Sequence, residues 1–255
     1  MSERDQKPST ALREEELSLQ RSGRSLPVFR VYPDDNKAHP AIILVHEIFG
    51  LNEHIKDVAR RLARESYTVY APELFDVSTD YPINRNDLSQ MREVWGSISD
   101  EQILGDLQAV FASARQSPQV IATAIGSMGF CMGGAIAYMF ACRNPLLAYV
   151  VDFYGRIYYQ EITENKARHP IAYTGGLNCP MLGLFSGIDP LIPEEQINIL
   201  KTKLSDLGKT YQLKVYPRAK HAFFNDTREL YDHESANDAW QLTLAFIEAN
   251  SKKSS

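Results

Sequence analysis

Gly129-Phe130-Cys131-Met132-Gly133, with the run Val120 to Ile125 before it and Gly134 to Ala141 after it, decides how this chain is read. The upstream run is mostly apolar and partly β-branched, which predicts a buried strand; the downstream run is small and apolar and predicts a helix. A glycine-bracketed turn joins them, with one nucleophilic side chain at its apex. This is the pattern of a strand–turn–helix nucleophile elbow, with cysteine where serine is usual. The tight turn forces an unfavourable backbone on the apex residue, and small neighbours keep strand and helix from colliding. The helix start points free N–H groups and its positive dipole end at the thiol, which favours a thiolate. The plainer alternative is a buried structural cysteine, the usual place of a free Cys. The glycine bracket and the strand-to-helix context favour the nucleophile. Ser127 cannot centre a second elbow, because Ile125 stands where the first glycine would be needed.

The chain has 255 residues, 44% hydrophobic and 23% charged, which suits one α/β domain with a large core. A net charge of −5 with no basic stripe argues against a nucleic-acid partner. Arg60-Arg61 reads as a solvated helix face. Cys131, Cys142 and Cys179 are too few for a disulfide framework, and no pair has metal-ligand spacing. The expectation is a protein without metal or organic cofactor. Met1 to Glu16 is polar and charged, and no stretch reaches transmembrane length. A reducing cytoplasm with no membrane partner is the simplest expectation; monomer and dimer stay open.

Residues 1–14 read as a flexible tail and 15–250 as a single domain. Leu17 to Gln20 and Leu26 to Tyr32, around Ser22-Gly23-Arg24, suggest an opening hairpin. Strands are expected at Pro40 to Val45, Tyr67 to Ala71, Leu147 to Phe153, Met181 to Phe185 and Tyr211 to Tyr216. Helices are expected at Glu53 to Glu65, Asp100 to Arg115, Pro193 to Leu207 and Ala236 to Ala249. Phe75 to Arg85 reads as a surface loop able to cover a pocket, and Tyr154 to Asn178 as a loop beside the site. The alternation predicts a mostly parallel central sheet with helices on both faces.

A thiol nucleophile needs a base, an orienting acid and an oxyanion hole. On an elbow fold these follow in the order nucleophile, acid, His. Asp189 follows the Met181 to Phe185 strand, although an Asp before Pro190 could be an ordinary turn residue. His221 follows the last strand. His39, His54, His169 and His233 fall in loops or on helix faces, where solvation is the default. The hole should use the N–H of Met132 and one from His46-Glu47-Ile48-Phe49-Gly50, most simply that of Ile48. Glu47 is the odd residue. Its charge opposes a nearby thiolate unless it holds the thiol proton, or unless it is only a helix-start acid.

Six segments carry a resemblance: His46 to Asn52, Ala71 to Phe75, Gly129 to Gly134, Phe153 to Gly155, Ser186 to Asp189, and His221 to Phe223. In order and spacing, from about Leu26 to Ile247, the chain resembles the dienelactone hydrolase (carboxymethylenebutenolidase) family. The resemblance implies an α/β-hydrolase fold, a Cys131–His221–Asp189 triad, an acyl-cysteine intermediate, and a small ester or lactone as substrate. It also implies that Glu47 holds the resting thiol neutral and takes its proton when substrate arrives. Two departures concern the arginines that bind the family's substrate carboxylate: Leu88 and Asn225 stand at those positions. Neither replaces a bidentate Arg. Arg85, Arg92, Arg156 and Arg228 are nearby in sequence and could substitute, with Tyr154 and Phe223 as further pocket candidates. Two readings keep the fold but not this chemistry: a non-catalytic binding protein, and a thiol redox sensor resolved by Cys142 or Cys179.

Overall fold

Alternating residues in Leu12–Arg21 turn their apolar members inward, forming strand β1. It pairs antiparallel with β2 (Arg24–Pro33) across Gly23, whose φ is +81°. The expected hairpin therefore forms, and it is longer than predicted. Leu12 to Glu14, assigned to the tail from composition, lie opposite Pro33 to Val31. Acidic residues of β1 pair across the fold, Glu14 with Arg60 at 2.8 Å and Glu16 with Lys56 at 2.9 Å. The computed structural model describes residues 11–21, 23–75 and 84–251. Residues 1–10 of the expected tail, and residues 76–83 of the expected covering loop, lie outside the described residues.

The remaining strands are β3 (His39–Val45), β4 (Thr68–Pro72), β5 (Val120–Phe130), β6 (Val150–Phe153), β7 (Met181–Ile188) and β8 (Tyr211–Lys220). Their order in the sheet is β1-β2-β4-β3-β5-β6-β7-β8, antiparallel at β1–β2 and β2–β4 and parallel elsewhere. Helix α1 (Glu53–Arg64) starts at Asn52, whose side chain accepts the Ile55 N–H. Its Ile55, Val58, Ala59 and Leu62 face inward as their spacing predicts. Helix α2 (Leu88–Ser97) is not predicted from the sequence, because Met91 is its one buried residue and no apolar stripe marks it. The local signal was the cap: Asp87 accepts the N–H groups of Ser89 and Gln90. Helices α3 (Asp100–Gln116) and α4 (Met132–Arg143) pack together against the middle of the sheet, and α1 lies on β2 and β4. Helix α5 (Glu194–Asp206) precedes β8, and α6 (His233–Ser251) packs on β5 and β7.

Register decides where the site falls. Val45 lies opposite Gly129, Phe130 opposite Phe153, and Phe153 opposite Leu184. The carboxyl ends of β3, β5 and β6 are therefore level, with β7 running on past them to Ile188, and this is the edge where open α/β sheets place their sites. The Tyr154 to Asn178 connection is more than a loop beside that edge. It carries a 3-10 turn at Pro170–Gly176 and buries Ile157, Tyr159, Lys166 and Leu177. The Lys166 ammonium is held by Asp100 (3.0 Å) and the Ile98 carbonyl (2.7 Å), and lies 3.3 Å from the centre of the Trp95 ring. A buried cation survives only with such partners.

Candidate active site

The elbow is built from backbone. Cys131 has φ +55° and ψ −119°, a strained conformation that costs about 1–3 kcal/mol and persists because its surroundings enforce it. A Cβ on Gly129 would lie 2.0 Å from the Gly133 carbonyl oxygen, and one on Gly133 would lie 2.4 Å from those of Val45 and His46. Strand ends and the first turn of α4 thus touch without side chains between them. The Cys131 N–H donates to the Phe153 carbonyl at 2.9 Å, which pins the apex to β6. Met132 is the first residue of α4, so its N–H has no acceptor within the helix.

His221 follows β8 and Asp189 follows β7, as chain order predicts. Nε2 of His221 lies 3.1 Å from Cys131 Sγ, and its Nδ1–H donates to Asp189 Oδ2 at 2.6 Å. Asp189 is buried and its other oxygen accepts the Leu191 N–H at 2.9 Å, so the carboxylate is fixed from both sides. Burial disfavours a charged imidazole here. The electrostatic effect of the adjacent Cys131 and the hydrogen bonds to Asp189 and Cys131 outweigh it, lifting His221 to about 10.

The loop after β3 is held by buried polar groups. His46 Nε2 accepts the Leu74 N–H (3.1 Å), leaving Nδ1–H to donate to the Glu47 carbonyl (2.6 Å). Glu73 accepts the Leu51 N–H at 3.2 Å and pairs with Arg85 at 2.7 Å. Arg85 is therefore not a substrate arginine: it braces this loop behind Gly50. Ile48 and Phe49 face a cavity of about 790 Å³ that also reaches Cys131, Met132 and His221. Leu88, Trp95, Tyr159 and Leu191 supply further apolar wall, and Arg92, Arg156 and Arg228 a cationic one. Among the described residues none of these three arginines has a carboxylate partner; Arg228 lies over the Phe49 ring at 4.1 Å.

Tyr154 and Phe223, expected at the pocket, are fully buried behind it and absent from its wall. Their rings pack 5.3 Å apart, and that of Tyr154 lies 5.2 Å from His221. Tyr154 packs against the imidazole, and Phe223 backs Tyr154. His39 and His54 are buried, not solvated. His39 pairs with Asp35 at 2.9 Å, and His54, whose pKa burial depresses, lies 3.3 Å from Asp226. Cys142 and Cys179 are buried, and Cys142 lies at the far end of α4, on the order of 16 Å from the apex at 1.5 Å per residue.

Glu47 departs from what the resemblance implies. It is buried, and its Oε2 accepts from Asn225 Nδ2 at 2.7 Å, while the sulfur's hydrogen-bond partner is His221. Nor is it a helix-start acid, since α1 begins at Glu53. Three further residues at this edge carry no local sequence signal. Trp95 and Lys166 join the cavity wall, and Asp152 of β6 is buried behind the elbow. Burial pushes Asp152 up to about 7 against the bond it accepts from the Gly155 N–H (2.8 Å).

An elbow at the carboxyl edge of this sheet, with an acid after β7 and a histidine after β8, defines the α/β-hydrolase fold. Residues 26–251 match the sequence model of the dienelactone hydrolase family. The chain is 36% identical over 219 residues to a Methylorubrum extorquens protein named "Putative carboxymethylenebutenolidase", covering 85% of this chain and 74% of that one. A protein of the same name from Escherichia coli (strain K12) is 34% identical, over 98% of this chain and 92% of its own. The crystal structure of "Putative Dienelactone Hydrolase" from Klebsiella pneumoniae superposes with a TM-score of 0.86 at 35% identity, covering 93% of this chain and 99% of that one. This chain belongs to the dienelactone hydrolase family, and it is a hydrolase of the ester- or lactone-cleaving kind.

Proposed function

We propose that the chain cleaves a small carboxylic ester or lactone through an acyl-cysteine intermediate. The Cys131 thiolate attacks the carbonyl carbon, and the oxyanion is received by the N–H groups of Met132 and Ile48. The His221 imidazolium, oriented by Asp189, protonates the leaving oxygen. The neutral imidazole then takes a proton from the water that attacks the thioester, and the second tetrahedral species collapses to acid and free thiolate. The observation that carries this reading is the unbroken series Cys131 Sγ, His221, Asp189 at 3.1 and 2.6 Å beneath a cavity. Arg92, Arg156 and Arg228 on the wall support an acidic substrate, bound differently from the arrangement that Leu88 and Asn225 replace. A cytoplasmic site of action is part of the same proposal; no described helix is long and apolar enough to cross a membrane.

The test is a panel of lactones, dienelactones included, and short p-nitrophenyl esters, run with wild type and Cys131→Ala. Turnover should fall by about 10³-fold or more while the thermal transition stays in place. Mass spectrometry of a quenched wild-type reaction should show an acyl adduct on Cys131. Undiminished turnover in Cys131→Ala refutes the assignment.

A further inference from the structure

Four contacts tie the turn after His221 to the loop and helix after β3. Asn225 Nδ2 donates to Glu47 Oε2 at 2.7 Å. Asp226 lies 3.3 Å from His54 and 2.5 Å from Arg61. Arg228 lies over Phe49. Asn225 itself has no freedom to turn. Its Oδ1 accepts both the N–H (3.1 Å) and the hydroxyl (2.7 Å) of Thr227, so the amide must present its NH₂ to Glu47. Asn225 is buried and its N–H donates to the Ala222 carbonyl, one residue past His221.

We infer that Asn225 is a positioning residue that holds the Glu47 carboxylate retracted, leaving Cys131 paired with His221 and reactive before any substrate binds. The inference rests on Cys131 being the nucleophile. It differs from the substrate-triggered release of a glutamate-held thiol that the resemblance implies. A neutral amide is the decisive feature: it satisfies the carboxylate without a charge that a substrate anion could draw away. Freed from Asn225, a buried carboxylate has to find another donor. The thiol is within the same cavity, and like-charge repulsion then disfavours the thiolate. The charged or titratable groups facing these two are His221 and, through it, Asp189 from the late loops, His54 from α1, the Tyr154 hydroxyl after β6, and Arg92, Arg156, Glu161, Lys166, Arg228 and Glu229 on the cavity wall.

Iodoacetamide alkylation of Cys131, followed by mass spectrometry across pH 4–9 without substrate, reads this directly, since Cys142 and Cys179 are buried. Wild type should be alkylated readily at pH 6. In Asn225→Ala the midpoint of the profile should move up by about one pH unit, with an about tenfold slower rate below it. Asn225→Ala/Glu47→Gln should regain the wild-type rate or exceed it. Glu47→Gln alone, which does not depend on Asn225→Ala folding, should be no slower than wild type at pH 6. The inference is overturned if wild type resists alkylation at pH 6 until a substrate analogue is added. An unchanged profile in Asn225→Ala, a defect that persists in the double variant, or slowed alkylation in Glu47→Gln overturns it equally. Loss of ester turnover in Cys131→Ala is read separately, so failure of the nucleophile assignment is distinguishable from failure of the latch.

Discussion

Replacing Asp152 by Asn should change how stability depends on pH. Asp152 sits on β6 directly behind the elbow and, among the described residues, has one backbone N–H as its hydrogen-bond donor and no cation beside it. Burial raises its folded pKa to about 7, from 3.8 for the unfolded chain. A raised acid favours the folded state only while protonated. Its contribution is present below about pH 4, is lost progressively as the pH rises, and is gone above about pH 7, once the folded form has ionised as well. Three pKa units correspond to about 4 kcal/mol in all, of which about 2.5 kcal/mol falls between pH 5 and pH 8. Asparagine keeps an acceptor for the Gly155 N–H and does not titrate. Urea unfolding of both proteins at pH 5, 6, 7 and 8 isolates this residue, because every other titrating group is common to them. The stability of Asp152→Asn relative to wild type should rise over this range and flatten towards pH 8. A constant offset of any size reports packing rather than titration. A difference that does not change between pH 5 and pH 8 would refute the reasoning, since it would mean that Asp152 does not titrate there.

Gly129→Ala should leave little folded protein or none in the soluble fraction, because the added Cβ meets the Gly133 carbonyl oxygen at 2.0 Å and both partners are backbone. Soluble protein with a wild-type melting transition would contradict that contact. Lys166→Met should destabilise by about 3–5 kcal/mol in urea unfolding, because Asp100 is left buried with the Tyr159 hydroxyl but no cation. Lys166→Met/Asp100→Asn should recover most of it, and no recovery would mean that packing against Trp95, rather than charge, is what Lys166 supplies.

The parts of this molecule that were legible in the sequence are those whose cause is local. Glycines two residues either side of Cys131 specify a turn through backbone clearance alone, and the clearance is visible in 2.0 and 2.4 Å approaches. Asp189 and His221 could be chosen because each ends a strand and chain order on this fold is fixed. Misjudged residues have partners distant in the chain. Arg85 is engaged by Glu73, and the Asn225 amide by Glu47, 178 residues earlier, and neither partner can be read from the neighbouring sequence. Tyr154 and Phe223 follow strand ends in sequence like pocket residues, yet their side chains pack behind the imidazole. Composition likewise put Leu12 to Glu14 in a tail, since the cations that pair with that acidic strand lie on β2 and α1. No pattern within β1 reveals them.

The gathering of the carboxyl ends of β3, β5, β6 and β7 at one edge carries a consequence for how the chain comes together. Glu47, Cys131, Asp189 and His221 meet only after strands from nearly the whole length have been zipped into register. Thiol reactivity is therefore a clock for the last step of assembly. During refolding from urea it should reappear with the slowest phase, and no N-terminal fragment ending before β8 should display it.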